Sequence, residues 1–456
     1  MMGKQPNRFI NKMNRPIDLL GTSFDCQCGR HHQVPTKKLF YGKDALENLP
    51  AFAESVSDKQ SYLVLADKRT YGVIGRLVED GLKKSGANVQ QLIVPDPDGE
   101  SPVTDDKTRD FLLEKAPAAD LYIAVGSGVM NDLGKWLAYL RKKPYISVAT
   151  AASMNGYASA NVSATIDGLK VLFHAEACQA VFAIPEIIEQ APFELTTSGL
   201  GDVLAKPVSS ADWRLNQFLF DEYYCQFSVD LLKELEPVYL ENPQNINAKD
   251  PDAIKALFEA LFFSSVAMTI TGTSSPASGG EHLISHTIDM LAGRDGGHHD
   301  LHGRQVGVGS IFAAALYERV LSIDKPDFGN ISSQINHDFW GSLSPVIEKE
   351  YLKKIPKLKL AAEKLSIPEN WDALRSILIQ NLIPAAKLKN CLKTAGAAHR
   401  FNDIRYNNRE MEKDFFLAVL KNAHQMRERF TILDLAAMTG VMPAQVDQLV
   451  AEWITN

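Results

Sequence analysis

Short apolar runs alternating with amphipathic stretches leave the first half of this chain few ways to fold. Residues 61–66 (SYLVLA), 91–95 (QLIVP), 121–125 (LYIAV) and 145–149 (YISVA) read as buried strands, and 71–85, 105–115 and 134–141 as the helices between them. A further run near 180–184 ends the series. Strands that alternate with helices form a parallel sheet covered on both faces, and such strands are apolar throughout. Ligands of these sheets bind beyond the carboxyl ends of the strands.

The unusual residues cluster at those ends. Val125 is followed by Gly126, Ser127, Gly128, Val129, Met130, Asn131 and Asp132, which open a helix. Small residues let backbone approach a diphosphate, and a helix N-terminus offers N–H groups and a positive dipole end. Glycine also serves strand–helix turns for geometry alone. The strand at 145–149 leads into Thr150, Ala151, Ala152, Ser153, Asn155 and Ser159, again small and hydroxyl-rich. Asp67, ending SYLVLA, suits either a ribose diol or a helix cap. A Rossmann fingerprint places the glycine turn first and the acid about 20 residues later. Here the acid comes first, so the sheet is of dinucleotide type without that standard unit.

Beyond residue 184 the periodicity is helical, with helices expected from 200 and over 252–271, 278–291, 304–323, 342–354, 372–381 and 410–428. The reading is therefore an α/β N-terminal domain, 1–198, and an all-α C-terminal domain, 199–456, joined near 196–201. Asp202 falls in the first turn of the expected helix, where a carboxylate suits the dipole or serves as a metal ligand. Lys206 reads as its neighbour or a solvated side chain. His282 and His286 lie four apart on one helix face, and His302 follows a glycine-rich break that lets it return from a neighbouring element. Converging imidazoles are what a metal requires, although a lone HxxxH is as often two polar helix positions. The segment 433–453 has the spacing of a helix-turn-helix, but 430–456 contains no Lys or Arg to meet phosphates, so it reads as a terminal helical hairpin.

Composition narrows the classes further. The chain has 456 residues, 45% of them hydrophobic and 23% charged, with a net charge of -7, which recommends neither a nucleic-acid nor an anionic-membrane partner. No run is expected to span a membrane, which takes about 20 apolar residues. Lys4, Arg8, Lys12 and Arg15 form a basic N-terminal stretch without the apolar core of a secretory signal. Five scattered cysteines, Cys26, Cys28, Cys178, Cys225 and Cys391, suit a reducing cytoplasm. Cys26-Gln-Cys28-Gly-Arg-His31-His32 has no second ligand pair nearby and reads as a surface hairpin rather than a zinc site.

Taken in order, CQCGRHHQVPTK, GSGVMNDLGKW, SVATAASMNGYAS, GLGDVLAKPVSSADW, SGGEHLISHTIDM, LHGRQVGVGS and RERFTILDLA resemble the iron-containing alcohol dehydrogenase superfamily, and within it the bacterial sn-glycerol-1-phosphate dehydrogenases, over residues 26–440. The resemblance implies a dehydroquinate synthase-like fold with a catalytic cleft between an NAD(P)-binding and a helical domain, a phosphorylated triose or polyol substrate, and a homodimer or larger assembly. By matching position, Asp67 would meet the ribose, Gly126 and Gly128 to Asp132 the diphosphate, and Thr150 to Ser153 with Ser159 the nicotinamide side. Asp202, His282 and His302 would hold a divalent metal, leaving zinc, nickel and iron open, and His286 would face substrate. The expected activity is NAD(P)-dependent reduction of dihydroxyacetone phosphate to sn-glycerol 1-phosphate. The alternatives are a sugar-phosphate cyclase without net redox and a non-catalytic relative. Two positions depart from the pattern. Asn155 stands where the family has a substrate-contacting aspartate, and Arg304 follows His302 where a non-basic residue is expected. Arg304 could recruit phosphate or point to solvent, and Lys68 and Arg69 could accept the 2′-phosphate of NADP beside Asp67.

Overall fold

A computed structural model describes residues 15–455 apart from 58, 98–100 and 330–331, so Lys4, Arg8 and Lys12 lie outside the described residues. The chain divides into two compact units. The first contains 1–199 with 225–237 and 248–273, the second 200–224, 238–247 and 274–456.

In the first unit a hairpin of β1 (Ser23–Asp25) and β2 (His31–Gln33) precedes β3 (Lys38–Tyr41), β4 (Ser61–Asp67), β5 (Asn88–Val94), β6 (Leu121–Gly126) and β7 (Tyr145–Ala149). An antiparallel hairpin, β8 (Asn161–Ile166) and β9 (Leu169–His174), comes before the last strand, β10 (Ala180–Ala183). The strands β3–β7 and β10 form one parallel sheet in the order β3-β10-β7-β6-β4-β5. Every residue of β6 and β7 is buried, as expected of central strands covered on both faces. The edge strand β5 mixes exposed and buried positions. From β4 the chain crosses one way to β5, and from β6 the other way to β7 and β10. The carboxyl ends of β4 and β6 therefore flank the switch point where such sheets open a crevice.

The sheet's helices are α1 (Leu49–Val56), α2 (Arg76–Lys84), α3 (Asp106–Lys115) and α4 (Gly128–Arg141). Leu49, Ile74, Val78 and Leu82 pack with Tyr62, Val64, Ile123, Val125 and Phe182 in one core. On α4, a Cβ at Gly134 would meet Ala124 Cβ of β6 at 2.5 Å, so glycine lets this helix lie directly on the strand. The helix starts at Gly128 rather than 134, because the Asn131 amide already bonds the Ser127 carbonyl at 2.8 Å. Trp136 of α4 carries Val162 and Ala164 of the β8–β9 hairpin and Ala175, an element with no counterpart in the sequence reading.

The remaining long helices are α5 (Phe193–Val203), α6 (Lys206–Phe220), α7 (Pro251–Thr271), α8 (Gly280–Arg294), α9 (His302–Leu321), α10 (Ser344–Leu365), α11 (Pro368–Ile379), α12 (Ala385–Thr394), α13 (Lys413–Asn422), α14 (Ile432–Met438) and α15 (Val446–Trp453). Helix α7 corrects the expectation that no segment could span a bilayer. It is long and apolar enough, but 83% of its apolar window is buried inside the protein, the state of a core helix. The expected 410–428 helix is shorter, because Arg405–Tyr406 and Arg409–Glu410 pair as strands before α13 begins. Helices α14 and α15 pack on α9. Asp434 of α14 is fully buried and accepts the Lys354 ammonium at 2.9 and 3.1 Å. The same ammonium donates to the His424 carbonyl.

Removing one partner of such a pair strands a charge in a low-dielectric interior. Lys354→Met is expected to destabilise the protein by about 3–5 kcal/mol, and Lys354→Met with Asp434→Leu to recover much of that loss. Urea denaturation of the single and double variants measures the difference; equal losses in both would contradict it.

Candidate active site

Three elements of the second unit bring their chemistry together. Asp202 lies in the last turn of α5, not in a first turn as expected, because the helix begins at Phe193. A carboxylate there meets the negative end of the dipole, so the bland reading of a favourable dipole contact fails. His282 is in the first turn of α8, and His302 is the first residue of α9. Donor atoms of Asp202, His282 and His302 all lie within 4.8 Å of one another, and His282 Nε2 is 3.5 Å from Asp202 Oδ1. Two ligands about 2.0–2.2 Å from a shared tetrahedral ion stand roughly 3.4 Å apart, so the residues fit a divalent metal.

Glycine makes this convergence possible. A Cβ on Gly201 would stand 2.0 Å from the Gly303 carbonyl oxygen, and one on Gly309 would be 2.9 Å from the Glu281 oxygen. Gly307 likewise faces the Gly201 Cα. The backbones of α5, α8 and α9 meet with nothing between them.

Neighbouring groups fix which imidazole nitrogens face the metal position. Glu281 Oε1 lies 2.7 Å from His282 Nδ1 and also takes the Gly279 amide at 2.7 Å. His282 Nδ1 is thus the donor, and Nε2 is turned toward Asp202. Ser285 gives its hydroxyl proton to Gln305 Oε1 at 2.7 Å, so its oxygen accepts from His302 Nδ1 at 3.1 Å. That leaves His302 Nε2 for the ion, the arrangement that orients metal ligands and raises their basicity. Asp212 sets α8 itself. It is buried, and it accepts the amides of Gly280 and Ile432 at 2.7 Å and the Tyr317 hydroxyl at 2.5 Å. Glu281, Ser285, Gln305 and Asp212 were not foreseen; only the adjacency of Glu281 to His282 offered a signal.

His286, one turn beyond His282, stays outside the three-donor group. Its ring lies near-parallel to that of His302, 5.6 Å between centroids. Arg304 neither points to solvent nor has an open charge: its guanidinium bonds Asp300 at 3.0 Å and the Asp403 carbonyl. Lys206 is buried rather than solvated.

The first unit carries the other expected residues. Asp67, at the end of β4, is a helix cap that accepts the amides of Arg69 and Thr70 at 2.7 and 2.9 Å. Its second oxygen faces the Arg69 guanidinium at 3.5 Å, which is itself held bidentately by Asp96 at 2.7 and 3.0 Å. Gly126 has φ +154°, and a Cβ there would strike Met130. Gly128, Val129 and Met130 form the first turn of α4, whose leading amides have no partner within the helix. Thr150, Ala151, Ala152 and Ser153 follow β7, and the Ala151 carbonyl accepts the Tyr157 hydroxyl at 2.5 Å. A residue the sequence did not flag organises this edge. The fully buried Lys135 ammonium donates to Asp132 Oδ1, the Gly156 and Asn161 carbonyls and Ser159 Oγ, all at 2.7–3.2 Å. Asn131 joins it through Nδ2 to the same Gly156 carbonyl at 3.1 Å. Asp132, Asn131 and Ser159 thus brace the loop that carries Asn155.

Comparison with known proteins places the chain in a family. Residues 40–192 match the family profile for iron-containing alcohol dehydrogenase. A glycerol-1-phosphate dehydrogenase [NAD(P)+] of Halalkalibacterium halodurans is 31% identical, over 90% of this chain and 94% of its own. The chain belongs to the glycerol-1-phosphate dehydrogenase family. An archaeal relative of the same name, from Methanosarcina acetivorans, is 31% identical over 62% of this chain and 77% of its own. Among solved structures, glycerol dehydrogenase from Schizosaccharomyces pombe superposes with a TM-score of 0.56 at 17% identity, covering 91% of each chain, which establishes the shared fold.

For this glycerol-1-phosphate dehydrogenase family member the packing and the charges each give an expectation. Gly201→Ala forces α5 away from α9 and is expected to weaken metal binding by about 10–100-fold, read by chelator competition; unchanged affinity would contradict the glycine argument. Burial disfavours a charged His282, but the hydrogen bonds and charges of Asp202 and Glu281 outweigh it and hold the metal-free residue at about 9. A metal must displace that proton. Its apparent Kd is therefore expected to fall about tenfold per unit as pH rises from about 6 to 8, with roughly one proton released per ion, and to level off above about 9. Titration calorimetry in buffers of different ionisation enthalpy counts the proton; a pH-independent Kd would contradict the expectation.

Proposed function

We propose that the chain catalyses the reversible NAD(P)-dependent reduction of dihydroxyacetone phosphate to sn-glycerol 1-phosphate. The convergence of Asp202, His282 and His302, a carboxylate and two oriented imidazoles, carries this reading. One carboxylate and two imidazoles leave positions open for substrate, the mark of a catalytic site, and the family relatives bear the name of this activity. A divalent ion held there supplies Lewis acidity toward the ketone oxygen, and a reduced nicotinamide supplies the hydride.

The remaining work falls to side chains of this protein. Asp202 holds a negative charge beside the two imidazoles and balances the cation. Glu281 and Ser285 keep both imidazoles in the ligating tautomer. His286, beside them, serves to pass a proton to the new hydroxyl oxygen or to hold a substrate hydroxyl. At the switch point of the sheet, Gly126 and Gly128 admit the diphosphate to the first turn of α4, and Asp67 faces the ribose. Arg69 is already answered by Asp96 and Asp67, so a 2′-phosphate would compete with two carboxylates and NAD is favoured over NADP. Asn155 keeps the size of the family aspartate without its charge and offers two donors to substrate oxygens. Five thiols, none in a disulfide, suit a reducing compartment such as the cytoplasm, and the family resemblance adds assembly as a homodimer or larger homo-oligomer.

A steady-state assay with dihydroxyacetone phosphate, NADH or NADPH, and added Zn²⁺, Ni²⁺ or Fe²⁺ tests the activity, with chiral analysis of the product. Nucleotide oxidation yielding sn-glycerol 1-phosphate is expected. His286→Ala should lower kcat by about 10²–10⁴-fold while metal content is unchanged. No oxidation with any of the metals would overturn the substrate assignment. Activity appearing only in Asn155→Asp would mark the chain as a silenced binder.

A further inference from the structure

The β1–β2 hairpin has no part in that chemistry, yet its side chains converge with one from far along the chain. Cys26 directly follows β1, Cys28 lies in the turn, and His32 is the central residue of β2. The turn is closed by the Gly29 amide on the Cys26 carbonyl at 3.0 Å, with Gly29 at φ +85°, a conformation glycine adopts without strain. The fourth participant, Cys225, arrives 199 residues after Cys26, immediately before the short helix Gln226–Asp230. All four belong to the first unit. Their donor atoms lie within 4.8 Å of one another.

The distances are those of a shared ion. A tetrahedral Zn²⁺ with Zn–S near ~2.3 Å and Zn–N near ~2.0–2.1 Å sets sulfurs roughly 3.8 Å apart, and sulfur and nitrogen roughly 3.5 Å apart. Cys26 Sγ and Cys225 Sγ are 3.8 Å apart, and His32 Nε2 is 3.5 Å from Cys225 Sγ and 3.3 Å from Cys28 Sγ. The imidazole is also oriented for ligation. His32 Nδ1 lies 2.7 Å from the Ile270 carbonyl, an acceptor only, so Nδ1 carries the proton and the Nε2 lone pair faces the sulfurs. Weak S–H contacts alone would require neither that tautomer nor the convergence of all four donors. His32 and Cys225 are buried.

We propose that Cys26, Cys28, His32 and Cys225 bind one Zn²⁺ in a closed structural site. Four protein ligands leave no position for substrate, which separates this site from the Asp202 group. Binding converts three thiols to thiolates and releases their three protons to solvent, with no redox change. The ion ties the hairpin to Cys225 and, through His32, to the end of α7, closing long loops within the first unit.

Cobalt substitution of the full-length wild-type protein, in reducing buffer, tests the site without any variant. Thiolate-to-cobalt charge-transfer bands are expected, since the Asp202 group contains no sulfur. Cys28→Ser and Cys225→Ser should each abolish those bands. His282→Ala with His302→Ala should keep them and retain about one zinc per chain by mass spectrometry. Absence of the bands in cobalt-loaded wild type would overturn the proposal even if no variant folds. So would a Cys26–Cys225 disulfide in protein kept under reductant, or loss of all zinc from the His282→Ala, His302→Ala variant.

Discussion

Backbone-to-backbone contact between α5 and α9 is the constraint on which the second unit's site depends. The Gly303 carbonyl and the Gly307 Cα lie where a side chain at Gly201 would be, and the Glu281 carbonyl lies against Gly309. Each contact removes the layer of side chains that normally holds packed helices 8–10 Å apart. Only at that closer spacing can ligands as short as Asp202 and His302 reach the same ion. The cost is conformational, because glycines weaken the helices that contain them by about 0.5–1 kcal/mol each. Burial of α9 among α8, α12, α14 and α15 offsets it.

Much of this was legible in the sequence, for reasons that follow the range of each signal. The central strands were plain because burial on both faces makes them continuously apolar, as in LYIAV. Strand β3 was not, since a short edge strand paired only with β10 needs no such run. His282 and His286 declared themselves because helical spacing is local, and Asp202 was found by family position. Its place in the helix was misjudged by two turns, however, since Pro192, ahead of the true start, offers no side-chain cap, while Thr196, Thr197 and Ser198 mimic one further on. Glu281, Ser285 and Gln305 were invisible as a group because their roles exist only once α8 and α9 are side by side. Cys225 is the extreme case. Nothing near it suggests a ligand, and the hairpin it completes was read as bare surface.

Lys135 shows how the two kinds of information differ. In sequence it is one charged residue in an apolar helix. In the fold its ammonium is fully enclosed and bonded to groups at both ends of the 156–161 loop. An enclosed charge is tolerated only when fully paired, so the loop geometry is fixed by what the ammonium demands. The segment carrying Asn155 inherits its position from that demand rather than from its own propensity.

The place of Asp202 in the last turn of α5 has a consequence for the protein's life in the cell. Without metal, this anion at the negative end of a helix is answered by the proton that His282 keeps up to about 9, and a bound cation takes over that proton's role. Ligand binding confined to the native state adds about 1.4 kcal/mol for each decade of free ligand above Kd. Abundance of the folded protein would then track the free metal pool, and scarcity would show first as turnover of the chain, before any shortage of product.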